Sequence, residues 1–172
     1  MKSPFNGERL KKARLYRGLT VAELAAQVEC QRQTLSMYEI SKSQPADVHI
    51  VEKIAGILDF PVKFFYENSA QEVSSTVYFR SLLTTNKKYR NEQIIKIEFL
   101  SQIYSLLQDY VEFPQFEPLD LCEDTSASDA ANILRIKWCL GNGPLDNLVS
   151  IVEQHGILVT SFSTTTCLLY TS

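Results

Sequence analysis

The sequence predicts a mainly α-helical protein, in which five short N-terminal helices are followed by a long helix and the start of an α+β domain. Apolar residues recur at spacings of three and four, and capping residues and glycines mark where these segments begin and end. Charge is also unevenly distributed. Residues 1–66 carry 10 Lys/Arg against 7 Asp/Glu, and residues 67–172 carry 7 against 13. A net-basic module therefore precedes a net-acidic half.

Composition narrows the class of protein. A chain that is 45% hydrophobic and 22% charged is typical of a folded domain. No window offers the roughly 18 uninterrupted apolar residues of a membrane helix, and the N-terminus leads into a charged helix rather than a signal peptide. We therefore expect a cytoplasmic protein without a membrane partner. The cysteines form no CxxC pair, so we expect reduced, partly buried thiols. They are Cys30, Cys122, Cys139 and Cys167.

The first two helices have clear boundaries. Asn6 is a plausible N-cap for a helix through Arg17, and Gly18 supplies a left-handed stop. Thr20 and Glu23 have the spacing of a capping box at the start of a second helix.

A third helix is predicted over residues 31–39, and its polarity is unusual. Only Leu35 and Tyr38 form an inward stripe, so the outer face of this helix is expected to bind something other than water. The segment 41–45 ends the helix. A last amphipathic pair of helices then carries the apolar residues Val48, Val51, Ile54, Ala55, Leu58, Val62, Phe64 and Phe65.

The order and spacing of several short motifs make residues 7–66 resemble the Xre or Cro/cI repressor family. These motifs are Gly18-Leu19-Thr20, Glu23-Leu24-Ala25, Thr34-Leu35, Tyr38-Glu39 and Lys42-Ser43-Gln44-Pro45. The resemblance implies a lambda-repressor-like helix-turn-helix domain that binds double-stranded DNA, and a transcription regulator, in particular a repressor. Val21 departs from the family, which normally has a phosphate-contacting Gln there, and Ile40-Ser41 replaces the usual Asn-Gly.

The resemblance also implies site residues, because the start of the third helix enters the major groove in this docking geometry. Arg suits guanine and Gln suits adenine. The expected base-reading residues are Arg32, Gln33, Ser36 and Met37. The expected DNA-backbone contacts are Gln31, Thr34, Lys42 and Arg17, with Lys11 as a further candidate. Arg14 and Glu39 match an ion pair that ties the first helix to the recognition helix.

The remaining chain is expected to begin with a linker and a long amphipathic helix over residues 91–111. The broad apolar face of this helix predicts packing either on the last domain or on a second chain. Ser128 is the predicted cap of the next helix, a further helix holds residues 145–152, and residues 157–162 suggest a strand. The predicted domains are residues 1–67 (DNA-binding), 68–78 (linker), 79–162 (a partial C-terminal domain) and 163–172 (a tail).

Motifs within residues 77–162 are similar to the opening half of ImmA/IrrE-type metallopeptidase domains. They include Phe79-Arg80-Ser81, Gly143-Pro144-Leu145-Asp146-Asn147-Leu148 and Glu153-Gln154-His155-Gly156-Ile157. That family holds zinc with an HExxH helix, which this sequence lacks. Its two histidines, His49 and His155, have no ligand-spaced partner. We therefore expect no catalytic residues, metal or cofactor. The closing ten residues depart from the family after Phe162, as a truncated or frameshifted end would.

Three functions remain open from the sequence. The leading interpretation is a homodimeric DNA-binding regulator, since one such module covers only a half-site. A second is the regulatory front of a zinc peptidase that cleaves a repressor. A third is an antitoxin-like protein whose acidic half binds a toxin or another regulatory protein.

Overall fold

The computed structural model describes residues 4–68, 87–122 and 124–162, which form seven α-helices and one 3-10 helix. The α-helices are α1 (Gly7–Tyr16), α2 (Val21–Val28), α3 (Arg32–Glu39), α4 (Val48–Leu58), α5 (Lys87–Gln108), α6 (Ala127–Lys137) and α7 (Leu148–Gln154), and the 3-10 helix is Val62–Tyr66. The predicted mainly α fold is confirmed, and none of the described helices is long and apolar enough to cross a membrane. Most of the predicted linker, the Phe79-Arg80-Ser81 motif, Cys167 and the tail lie outside the described residues.

The predicted boundaries of the first two helices are confirmed by their hydrogen bonds. The Asn6 side chain accepts from the first-turn amides of α1, and Gly18 follows α1 with a φ of +63°. Thr20 and Glu23 form the complete capping box of α2, in which Glu23 N donates to Thr20 Oγ1 and Thr20 N donates to the Glu23 carboxylate. These capping hydrogen bonds and the left-handed Gly18 therefore define where α1 begins and ends and where α2 begins.

One hydrophobic core joins the first five helices. Its fully buried side chains include Leu10 on α1, Leu24 on α2, Leu35 on α3, Ile54 on α4 and Phe65 on the 3-10 helix. Two details differ from expectation. Val48 is 54% exposed at the first position of α4, where it precedes the buried stripe. The fifth helix is a 3-10 helix rather than an α-helix.

Gly7 allows α1 to pass close to the end of α3. A Cβ at this position would lie far inside the van der Waals contact distance of the Tyr38 carbonyl oxygen and 2.9 Å from the Glu39 carbonyl carbon. Both obstacles are backbone atoms, so they cannot rotate away. The absence of a side chain at Gly7 is therefore a condition for the contact between α1 and α3.

The chain divides into two compact units, residues 1–107 and residues 108–172. Helix α5 belongs to the first unit, where Phe99 packs against an aromatic cluster of Tyr16, Phe60 and Phe64, with ring centroids 5.5 to 6.1 Å apart. The sequence offered the last domain or a second chain as the surface for α5, and it did not predict this contact with aromatic rings of the N-terminal module.

Ion pairs and a close approach set the direction of α5 along α1. Lys12 Nζ lies 2.5 Å from Glu98 Oε1, and the Glu92 carboxylate lies beside Gly18. Because residues further along α5 meet residues earlier in α1, the two helices run antiparallel. Helix α5 also ends at Gln108 rather than at residue 111.

The second unit contains α6 and α7, neither of which buries a residue completely. Helix α6 is capped by Ser126, whose hydroxyl accepts from Asp129 N at 3.1 Å, and not by Ser128 as predicted. Helix α7 begins after its cap Asn147, three residues later than predicted. The predicted strand over residues 157–162 is not formed, because a strand requires a pairing neighbour and the described residues supply none.

His155 ends α7 and stacks on Trp138 of the same unit. The two ring centroids are 4.1 Å apart with an interplanar angle of 19°, and His155 Nδ1 lies 2.7 Å from the Ile151 carbonyl oxygen. Nδ1 must donate in this contact because the carbonyl can only accept. The imidazole therefore satisfies a carbonyl in the last turn of α7.

We predict that Gly7→Ala lowers the free energy of unfolding by about 1 to 3 kcal/mol, because the new Cβ forces α1 and α3 apart. Gly56→Ala is the matched control, since Gly56 lies within α4 and a Cβ there meets nothing within 4 Å. This control should gain about 0.5 to 1 kcal/mol from helix propensity. Urea denaturation followed by circular dichroism measures both changes, and equal shifts in the two variants would refute the close-approach argument.

Candidate nucleic-acid interface

The outer face of α3 presents the four residues expected to read bases. Arg32, Gln33 and Ser36 are exposed, and Met37 is 39% exposed, whereas Leu35 and Tyr38 of the same helix are buried in the core. The structure thus brings all four predicted side chains together on one exposed surface of one helix. The only carboxylate in α3 is Glu39, and it does not belong to this surface. A polyanion would meet one cation and no anion among these four side chains.

Apart from Arg17, the residues expected to contact the DNA backbone lie at the two ends of α3 or, in the case of Lys11, on α1. Gln31 is exposed at the N-cap position and makes no capping hydrogen bond through its side chain. Thr34 is half-buried in the first turn, and Lys42 is exposed in the loop after the helix. Lys11 is also exposed, on α1. These positions are consistent with contacts on either side of a major groove, and their DNA roles stay predictions.

Arg17 is the exception, because its guanidinium is engaged elsewhere. Its Nε donates to the Leu58 carbonyl oxygen at 2.6 Å, and its Nη2 donates to the Asp59 carbonyl and carboxylate oxygens. The guanidinium carbon also lies 5.5 Å from the centroid of the Phe60 ring. Arg17 therefore satisfies C-terminal carbonyls of α4, and its expected phosphate contact stays a prediction.

Arg14 and Glu39 form a bidentate ion pair between α1 and the end of α3. Arg14 Nε lies 2.5 Å from Glu39 Oε1, and Nη2 lies 2.8 Å from Oε2. Each side chain is only 7% exposed. The third nitrogen of the guanidinium is also hydrogen-bonded, because Nη1 donates to the Leu19 carbonyl oxygen at 2.7 Å. One cation thus joins α1, the turn before α2 and α3.

The turn after α3 carries a backbone conformation that favours glycine. Ser41 has a φ of +55°, and Lys42 N donates to the Met37 carbonyl oxygen at 3.0 Å. A glycine, as in the family's usual Asn-Gly, adopts this left-handed conformation readily. In this chain Ser41 adopts it, although serine does so less readily than glycine.

One residue at the start of α5 reaches α2, a contact that no sequence motif predicted. Lys88 Nζ lies 2.9 and 3.0 Å from the two carboxylate oxygens of Glu23, the acidic member of the capping box. The Thr20 backbone amide, assisted by Lys88, lowers the pKa of Glu23 to about 2. The paired lysines 87 and 88 could have drawn attention in the sequence, but the predicted helix began after them.

The described residues contain no cluster of His, Cys, Asp or Glu that could hold a metal ion. His49 Nδ1 lies 3.0 Å from Glu52 on the exposed side of α4. Cys30 packs half-buried against the core, and burial raises the pKa of its thiol. Cys122 and Cys139 are exposed free thiols, contrary to the expectation of partly buried ones, because the second unit buries little.

Comparison with known proteins assigns the first third of the chain. Residues 7–63 match a family model described as a helix-turn-helix domain. This match lies within the N-terminal module of α1 to α4 and the 3-10 helix. This class of domain binds DNA in transcription regulators, with α2 and α3 as the helix-turn-helix pair and α3 as its second helix. The matching family model ends at residue 63, so the ImmA/IrrE resemblance of residues 77–162 stays a prediction.

Among solved structures, a chain of a SinR protein/SinI protein complex is similar at 19% sequence identity. The alignment covers 60% of this chain and 91% of that chain, with a TM-score of 0.33. At those values the likeness carries no inference about function. No curated protein is similar enough to this chain to count as a match.

We predict that Arg14→Met lowers the free energy of unfolding by about 3 to 5 kcal/mol, because it leaves the Glu39 carboxylate buried without its partner. The double variant Arg14→Met with Glu39→Leu should lose less than the sum of the two single variants. A double-mutant cycle in urea measures the coupling. Strict additivity of the two single variants would show that the pair does not couple α1 to α3.

Proposed function

We propose that this chain is a sequence-specific transcription regulator, acting as a repressor, that inserts α3 of its helix-turn-helix domain into the major groove. The observation that carries the proposal is the arrangement of α3. Its exposed face offers Arg32, Gln33 and Ser36 without any carboxylate, while Glu39 is held in the core side of the helix by Arg14. A helix presented in this way is preorganised to read base edges.

Arg32 and Gln33 supply the complementary chemistry in this proposal. A guanidinium can donate two hydrogen bonds to guanine, and an amide can bond adenine in a bidentate manner, each worth about 1 to 3 kcal/mol of discrimination. Both residues lie in the first turn of α3, the part of a recognition helix that contacts bases. Gln31 and Lys42 would contact phosphates at the two ends of the helix and set its register.

We predict that Arg32→Ala with Gln33→Ala removes specific binding to the duplex upstream of the chain's own gene but retains binding to a random-sequence duplex. The loss should be at least about thirtyfold, since two base contacts of about 1 to 3 kcal/mol each sum to about 2 kcal/mol or more. Fluorescence anisotropy at fixed salt measures both affinities. The control is Gln44→Ala, an exposed amide in the loop after α3.

Two results would contradict this proposal. Unchanged affinity of the double variant for the upstream duplex, while wild type prefers that duplex, would reject α3 as the reading helix. Failure of the wild-type chain to bind any duplex at low salt would reject DNA binding itself.

We infer in addition that the regulator acts as a homodimer, since one module covers a single half-site and specific affinity usually requires two. The DNA site should then contain two half-sites about 34 to 36 Å apart, or a multiple of that distance. Multi-angle light scattering with and without the upstream duplex tests this inference. A strict 1:1 complex of chain and duplex at saturation would contradict it.

A further inference from the structure

We propose that Lys87 and Lys88, at the start of α5, form a second contact with the DNA backbone, beside the first turn of α2. This inference rests on the proposed DNA binding, and it places the contact outside the helix-turn-helix domain at residues 7–63. The partner is the phosphodiester backbone of the duplex, read for its charge and not for its sequence.

The position of Lys88 is the first support. Its ammonium lies within 3.0 Å of both Glu23 carboxylate oxygens, and one of these oxygens accepts the Thr20 backbone amide at 2.6 Å. Lys88 therefore lies against the first turn of α2. In helix-turn-helix complexes the helix that precedes the recognition helix crosses the DNA backbone, so this turn is where phosphates approach.

The attachment of α5 to the module holds this position in place. Glu92 lies over the Gly18 turn and pairs with Lys96 at 2.6 Å, with both side chains about nine-tenths buried. One turn further along, Ile95 is buried, and Phe99 joins the aromatic cluster with Tyr16. The start of α5 is thus carried by a packed helix and is not a loose arm beside α2.

Electrostatics supplies the second support. Glu23 is ionised at neutral pH, as any exposed glutamate is, and its negative charge alone would repel an approaching phosphate. Lys88 offsets that charge, and the exposed Lys87 adds a positive one. Val21 has no polar side chain to offer at the same turn. The two lysines therefore convert the start of α2 from an anionic surface into one that accepts the backbone.

The experiment measures binding of the full chain to a short fluorescein-labelled duplex of random sequence over a range of salt concentrations. For Lys87→Gln with Lys88→Gln, the slope of log K against log salt should fall by about 0.9 for each lysine that neutralises a phosphate. At about 0.1 M salt this corresponds to roughly an eightfold loss of affinity per lysine. The upstream duplex should lose affinity by the same factor.

The charge-matched control is Lys63→Gln with Lys137→Gln. Lys63 is 86% exposed on the 3-10 helix, and Lys137 lies at the end of α6. This control removes the same two charges and should leave the salt slope unchanged if the effect belongs to the start of α5. An equal loss in the control would overturn the proposal in favour of a general effect of net charge.

Glu23→Gln separates a DNA contact from a purely structural pair. Glutamine also serves in a capping box, so α2 keeps its cap while the carboxylate charge is removed. The proposal predicts that Glu23→Gln binds the random duplex at least as tightly as wild type, whereas Lys88→Gln binds it more weakly. If Lys88 serves only to attach α5, both variants break the same pair and both should weaken binding, which would overturn the proposal.

The outcomes also separate this inference from the proposed function. Wild-type binding with an unchanged affinity and salt slope in the Lys87→Gln, Lys88→Gln variant overturns the second backbone contact alone. Absence of wild-type binding to any duplex overturns both. A reduced slope for both duplexes, together with intact binding by Glu23→Gln, supports the contact.

Discussion

The buried ion pair between Arg14 and Glu39 is the interaction on which the candidate interface depends. Removing two charges from water carries a desolvation cost that only complete hydrogen bonding offsets. The Arg14 guanidinium meets this condition with both Glu39 oxygens and the Leu19 carbonyl. Because these partners lie on α3 and in the turn before α2, their shared cation fixes how the two helices are presented.

This pair acts together with the close approach at Gly7. The same end of α3 that carries Glu39 also places its backbone against the start of α1, so neither helix can shift without disturbing the pair. The consequence for function lies on the opposite side of α3. The carboxylate faces inward, and the outer surface keeps Arg32 with uncharged polar and flexible neighbours.

Sequence reasoning predicted the features that depend on local chemistry. The capping box of Thr20 and Glu23 and the stop at Gly18 are written in a few adjacent residues, and the structure contains both. The stripe of Leu35 and Tyr38 likewise separated the buried side of α3 from its exposed side. Ser126 was missed as a cap although Asp129 stands three residues later, which is the spacing that should have favoured it over Ser128.

Features that depend on distant partners could not be predicted in the same way. An amphipathic pattern shows that α5 buries a face, but not that the receiving surface is the aromatic cluster around Phe60. The sequence alone does not reveal that the Arg17 side chain binds the carbonyls at the end of α4. An apolar run such as residues 157–162 predicts a strand only if a neighbouring strand exists to pair with it.

The most direct test of DNA binding through α3 is an NMR titration of the labelled chain with the upstream duplex. If α3 binds the duplex, the largest amide and side-chain shifts fall on Arg32, Gln33, Ser36 and Met37, while the core signals of Leu35 and Leu58 stay in place. Saturable binding with its shifts confined to other elements, and none on α3, would contradict the account.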